Sequence, residues 1–80
     1  MEPFIGQIEL FPYGFAPIDW AQCDGRILSI SDNMSLYSLL GSKFGGDGIT
    51  TFGLPDLRNA AIGQYNQYYI ALQGIYPCRS

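Results

Sequence analysis

Asp24 and Gly25 stand between two short runs of strand-forming residues, and no other dipeptide in the chain constrains the fold as strongly. A type I′ turn needs positive φ at both central residues, and Asp-Gly is among the pairs that supply it most readily. A two-residue loop at this point pairs Cys23 with Arg26, Gln22 with Ile27 and Ala21 with Leu28 in a β-hairpin. Because side chains alternate along a strand, Trp20 and Ile27 share one face of that hairpin, while Ala21, Cys23 and Leu28 share the other. Neither face is wholly polar. The hairpin is therefore expected to be covered on both sides.

The flanking segments add a helix and further strands. Residues 5–11 alternate polar Gln7 and Glu9 with Ile8 and Leu10, the period of a strand with one covered face. Pro12, Gly14 and Pro17 end it, and Tyr13 and Phe15 make the next stretch a packed loop. From Ser31 the period changes: Leu36, Leu39 and Leu40 recur at helical spacing, Ser31, Asp32 and Asn33 offer N-caps, and Gly41 suits the position past the helix end. One short helix is predicted. A loop over residues 43–48 leads to a brief strand at residues 50–52, and Pro55 holds Leu54 extended. Residues 68–73 are rich in strand formers and are stopped by Gly74 and Pro77. The class is α+β: a small β-rich single domain over residues 1–80 with a β-hairpin, one short helix and a C-terminal strand.

Composition narrows the function. Eighty residues that are 48% hydrophobic and 15% aromatic do not describe a disordered tail. Four basic residues against seven acids, for a net charge of −3, give little with which to neutralise phosphates, so nucleic acid is not expected as a partner. The chain has no histidine, which removes the usual proton shuttle and the commonest metal ligand. Cys23 and Cys78 are too few for a zinc site and too far apart for CxxC chemistry; two free thiols are expected, with a bridge between them as the open alternative. No run is long and apolar enough for a membrane span, and no signal peptide is evident at the amino end.

Three constellations invite chemistry and each has a plainer reading. Gly45, Gly46, Asp47 and Gly48 lack the Gly-Lys-Ser/Thr ending of a phosphate loop and read as a tight structural loop. The seven acids single out no glycosidase pair, and Asp24, Asp32, Asp47 and Asp56 are not spaced as a calcium loop. Cys23 has no base to activate it and reads as a small buried residue. Trp20 reads as core before ligand contact. The tyrosines Tyr13, Tyr65, Tyr68, Tyr69 and Tyr76 stay open between core and interface. No enzyme, cofactor or metal is expected.

Residues 6–11 (GQIELF) and 15–30 (FAPIDWAQCDGRILSI) resemble the opening of the phage tail collar domain family, which includes bacterial members described as microcystin-dependent. Residues 36–41 (LYSLLG), 44–48 (FGGDG) and 50–58 (TTFGLPDLR) resemble its continuation in order and spacing, and residues 69–80 are similar to the end of longer bacterial members. The chain departs from the pattern between these blocks. Only residues 59–68 bridge a region that is longer, variable and often His-containing in relatives; Asn59 stands where glycine is usual, and Cys78 where serine is common. His-based metal binding therefore does not carry over, and the chain reads as a minimal version. The resemblance marks Trp20, Asp24, Gly25, Gly45, Gly46, Asp47, Gly48, Leu54, Pro55, Asp56, Leu57 and Arg58 as structural motif residues.

What the resemblance implies is a non-enzymatic structural and assembly module of a phage tail fibre or a related tail-like or surface apparatus, in a virion tail or an extracellular or cell-surface assembly serving host attachment. The alternative is a small carbohydrate-binding adhesin with a glycan receptor. A chain this apolar, with 14% charged residues, has little polar surface to cover itself. A homo-oligomer is expected, a trimer by resemblance, with a filament as the outcome if head-to-tail contacts fail to close. Other tail or surface proteins are further candidate partners. Phe4, Phe11, Tyr13, Tyr65, Tyr68, Tyr69 and Tyr76 are the interface candidates, since aromatic rings supply large contact area at low entropic cost. Asp56 and Arg58, flanking Leu57, are expected to point to one side, at least one of them anchoring backbone.

Overall fold

The computed structural model describes residues 2–12, 14–60 and 66–77. Their elements are β1 (Ile8–Phe11), β2 (Trp20–Gln22), β3 (Ile27–Ser29), α1 (Met34–Leu40), β4 (Thr51–Gly53) and β5 (Gln67–Ala71). They build two antiparallel sheets, one of three strands in the order β1-β5-β2 and one of two strands, β3-β4, with one short helix. The α+β, β-rich class expected from the sequence is the observed one.

The hairpin is not. β2 pairs with β5, placing Trp20 opposite Ala71 and Ala21 opposite Ile70, while β3 pairs with β4, placing Leu28 opposite Phe52. Asp24 and Gly25 form the corner at which the chain leaves one sheet for the other. Gly25 has φ of 80°, but Asp24 is not at positive φ, so half of the I′ requirement is unmet. The backbone groups a hairpin would pair locally are taken by a distant segment: the amides of Leu54 and Leu57 donate to the carbonyls of Arg26 and Cys23 at 3.0 and 2.8 Å. Pro55, which has no amide to offer, sits between them. The division of faces survives the loss of the hairpin. Ala21 and Cys23 are buried and Leu28 packs beside them, whereas Trp20 and Ile27 look elsewhere.

β5, near the end of the described chain, is the middle strand of its sheet. β1 joins it with Ile8 opposite Ile70 and Phe11 opposite Gln67. Just before β1, the Gly6 amide donates to the Ala71 carbonyl while the Ala71 amide donates to the Gln7 carbonyl, so two residues face one. This is a β-bulge, and Gly6 at φ 85° occupies its left-handed position.

Leu36, Phe52, Leu54 and Ile70 are fully buried and form the core with Ile5, Ala21 and Cys23. Burying each of the four large side chains is worth about 1.5–3 kcal/mol over leaving it exposed. Helix α1 contributes Leu36 through its apolar stripe, and Tyr37 packs on Phe52 with ring centroids 5.3 Å apart. Asn33 precedes the helix and its side chain does not cap it; the amide nitrogen Nδ2 instead donates to the Ser29 carbonyl, tying the helix start to β3. Gly41 ends the helix at φ 66°, its amide donating to the Tyr37 carbonyl at 2.7 Å.

Candidate functional site

The segments singled out by the sequence motif converge on the corner and on the loop beside β4. Asp24 and Asp56 form an isolated antiparallel bridge. Each then uses its carboxylate on the arginine two residues later. Arg26 donates Nε and Nη2 to Asp24 at 3.0 and 2.9 Å, and Arg58 donates the same pair to Asp56 at 2.9 and 2.7 Å. The backbone amides of Arg26 and Arg58 donate to the same carboxylates, so both aspartates also fix backbone. Side-chain hydrogen bonds from the arginines hold the Asp24 and Asp56 carboxyls below the usual range, and the same contacts raise both guanidinium groups. Asp56 and Arg58 thus lie to one side as partners of each other, and Asp56 anchors the Arg58 backbone amide.

Gly45, Gly46, Asp47 and Gly48 fold back on β4. A Cβ on Gly46 would stand 2.4 Å from the Phe52 Cα, and one on Gly53 would stand 2.5 Å from the Phe44 carbonyl oxygen, so backbone lies directly on backbone at both places. Asp47 holds the loop shut. It accepts the amides of Ile49, Thr50 and Thr51 at 2.8–2.9 Å and the Thr50 hydroxyl at 2.9 Å. Those backbone donors pull the Asp47 carboxyl far below the usual carboxylate range, with the Thr50 hydroxyl adding to the effect.

Cys23 is a buried free thiol, and burial together with the neighbouring Asp24 charge pushes its pKa up to about 11. That is the reverse of an activated nucleophile. Cys78 lies outside the described residues. Among the described residues, no three of His, Cys, Asp and Glu gather closely enough to hold a metal ion, and no helix is long and apolar enough to cross a membrane.

The aromatic candidates separate. Phe4 and Tyr76 are half-exposed, and Phe4 bridges Ile75 so that the two ends of the described chain run together. The Tyr76 hydroxyl lies 2.7 Å from the Ser38 hydroxyl. Tyr68 packs against the core. Tyr69 is 1% exposed and its ring lies 5.9 Å from that of Phe11, which also stands edge-on to Trp20 at 5.3 Å. A ring that the chain already covers has no area to offer, so Tyr69 is withdrawn as a contact residue. Tyr13 and Tyr65 lie outside the described residues. Phe4, Phe11 and Trp20, with Glu2, Pro3, Gln7 and Glu9, line a cleft of about 500 Å3. The sequence did not indicate this cleft, because β5 has to enter between β1 and β2 before Phe11 and Trp20 meet.

Larger apolar exposure than at Phe4 or Tyr76 occurs at residues outside the aromatic set. Ile49 is 81% and Met34 68% exposed, and with Ile30 they line a shallow groove of about 360 Å3. Alternation and helical spacing mark which residues could face a core, and neither signal says that Met34 at a helix start or Ile49 in a loop is left uncovered.

Two sheets joined at a carboxylate-braced corner, with a glycine loop stacked on a strand, describe a small building block without a catalytic constellation among the described residues. The Phage Tail Collar Domain family matches residues 6–62, more than half of the chain. The chain belongs to that family, a structural one, and is a structural module of the phage tail fibre type. A phage-associated, tail-type setting follows from the family. No curated protein matched the chain in sequence. The central strand β5 lies beyond the matched residues, although β1 and β2 are both inside them.

Proposed function

We propose that this module works by self-association, as a homotrimer in a tail or tail-like assembly, with Met34 and Ile49 at the contact between copies. The supporting observation is their exposure on the two sides of one apolar groove, at 68% and 81%, in a chain with few charges. Contiguous exposed apolar surface on a small domain marks a contact site, and burying both side chains in a neighbour recovers the hydrophobic contribution a small core lacks. Cyclic closure of such a contact gives a trimer; a rotation that does not close gives a filament. Assembly, rather than catalysis, is the role this reading assigns.

Light scattering after size-exclusion chromatography tests it with Ile49→Asp. Ile49 makes no core contact, so the variant should keep its fold by circular dichroism and fall to a lower mass than the parent. A variant that keeps both its fold and the parent's oligomeric mass contradicts the proposed contact.

A further inference from the structure

We propose that the cleft between residues 2–9 and the Phe11–Trp20 pair binds an organic cation of the quaternary ammonium type, on the aromatic rings and the Glu9 carboxylate. This goes beyond the assembly role and does not depend on it. Three aromatic side chains, Phe4, Phe11 and Trp20, and two carboxylates, Glu2 and Glu9, line a space of about 500 Å3, and no described basic residue is among its walls. A volume of that order suits a small molecule. Ring faces are electron-rich, so rings and carboxylates together complement positive charge.

The arrangement is held in place. Gln7 accepts the Phe4 backbone amide at its Oε1 at 3.0 Å and donates Nε2 to Glu9 Oε1 at 2.8 Å, tying the Phe4 backbone to the Glu9 carboxylate along the cleft lining. Among the described residues no group donates to the second Glu9 oxygen. Phe11 and Trp20, both in the lining, pack edge-on with 80° between ring planes. The described cations are engaged elsewhere: Arg26 on Asp24, Arg58 on Asp56, and Lys43 over the Phe44 ring at 5.3 Å.

The same chemistry selects among ligands. A small, strongly hydrated cation gives up too much water for ring faces to replace, whereas a methylated ammonium presents its charge on apolar surface that rings can cover. A neutral sugar brings no charge to the two carboxylates, so it forgoes the electrostatic part of that complementarity.

The sole tryptophan, Trp20, provides the readout. Choline titrated at constant ionic strength should change Trp20 fluorescence saturably, with a midpoint of about 1 mM, as expected for a partly exposed site. The neutral isostere 3,3-dimethylbutan-1-ol should bind about tenfold more weakly, and Glu9→Gln should weaken choline about threefold or more, as loss of a paired carboxylate predicts. Amide and indole NMR shifts of the unmodified protein, followed in the same titration, should move at Phe4, Glu9 and Trp20, which localises binding without any variant. Linear response without saturation, equal binding of the isostere, an unchanged Glu9→Gln titration, shifts centred elsewhere, or a neutral sugar saturating this cleft where choline does not would each overturn the proposal.

Discussion

Asp24 and Asp56 face one another across a two-strand bridge, and each is gripped by the arginine two positions further along. Two acids side by side would repel, and the two forks neutralise that repulsion where the chain turns from one sheet to the other. Gly25 completes the corner. A methyl placed there would meet the Asp56 Cβ at 3.4 Å, an ordinary contact, so the constraint lies in the φ of 80° rather than in space. Gly25→Ala should therefore cost about 1–2 kcal/mol and lower Tm by roughly 5–10 °C, with Gly25→Val costing more because its branch adds to the strain. An unchanged Tm in both variants, measured by circular dichroism, contradicts the corner geometry.

The corner also shows where sequence reasoning stops. Helix α1 was legible because Leu36, Leu40 and Gly41 report a local period and a local stop, and β5 was legible because strand formers crowd between turn residues. Asp24-Gly25 states a local preference for a hairpin turn, and only Gly25 adopts the positive φ that the turn requires. What decides the pairing is long-range: β5 supplies partners for β2, β4 supplies them for β3, and the backbone around Pro55 takes the carbonyls of Cys23 and Arg26. The motif residues of the site were legible as a set. The cleft was not, since it depends on register across a strand from the far end of the chain.

Gly41 and Gly46 offer a comparison between two causes of glycine dependence. Both have positive φ, at 66° and 83°, but a Cβ on Gly41 meets nothing within 4 Å while one on Gly46 falls among Phe52 backbone atoms. Gly41→Ala should cost about 1 kcal/mol. Gly46→Ala should cost several times more, enough to threaten folding of a domain this small. Equal Tm losses for the two would show that the loop does not lie on β4.

Asp47 should dominate the acid limb of stability. Its carboxyl, like those of Asp24 and Asp56, is held below the ordinary aspartate value in the folded chain. A depressed folded pKa adds stability that is present above the unfolded value near 4 and is lost as pH falls through the folded value. Cys23 works in the opposite direction on the alkaline side: a thiol raised to about 11 adds stability below the unfolded value near 8.5 that is lost as pH rises toward 11. Tm should be level between about pH 5 and 8 and decline on both sides. Asp47→Asn should lower Tm at pH 7 and flatten the acid decline. An acid limb unaltered in Asp47→Asn contradicts the role assigned to this carboxylate.

The Cys23 thiol should resist alkylation in the native protein. It is 1% exposed and its thiolate is disfavoured at neutral pH. In a Cys78→Ser background, iodoacetamide at pH 7 should add no label to the folded chain and one label after denaturation, read by intact mass. Rapid labelling of the native variant would mean that Cys23 is not a core residue.

Native mass spectrometry across a dilution series addresses self-association most directly. The trimer reading predicts a dominant species at three times the 8.9 kDa chain mass at micromolar concentration, giving way to single chains only on further dilution. A single 8.9 kDa species throughout the micromolar range contradicts it, and an unbounded ladder of masses replaces closed assembly with a filament.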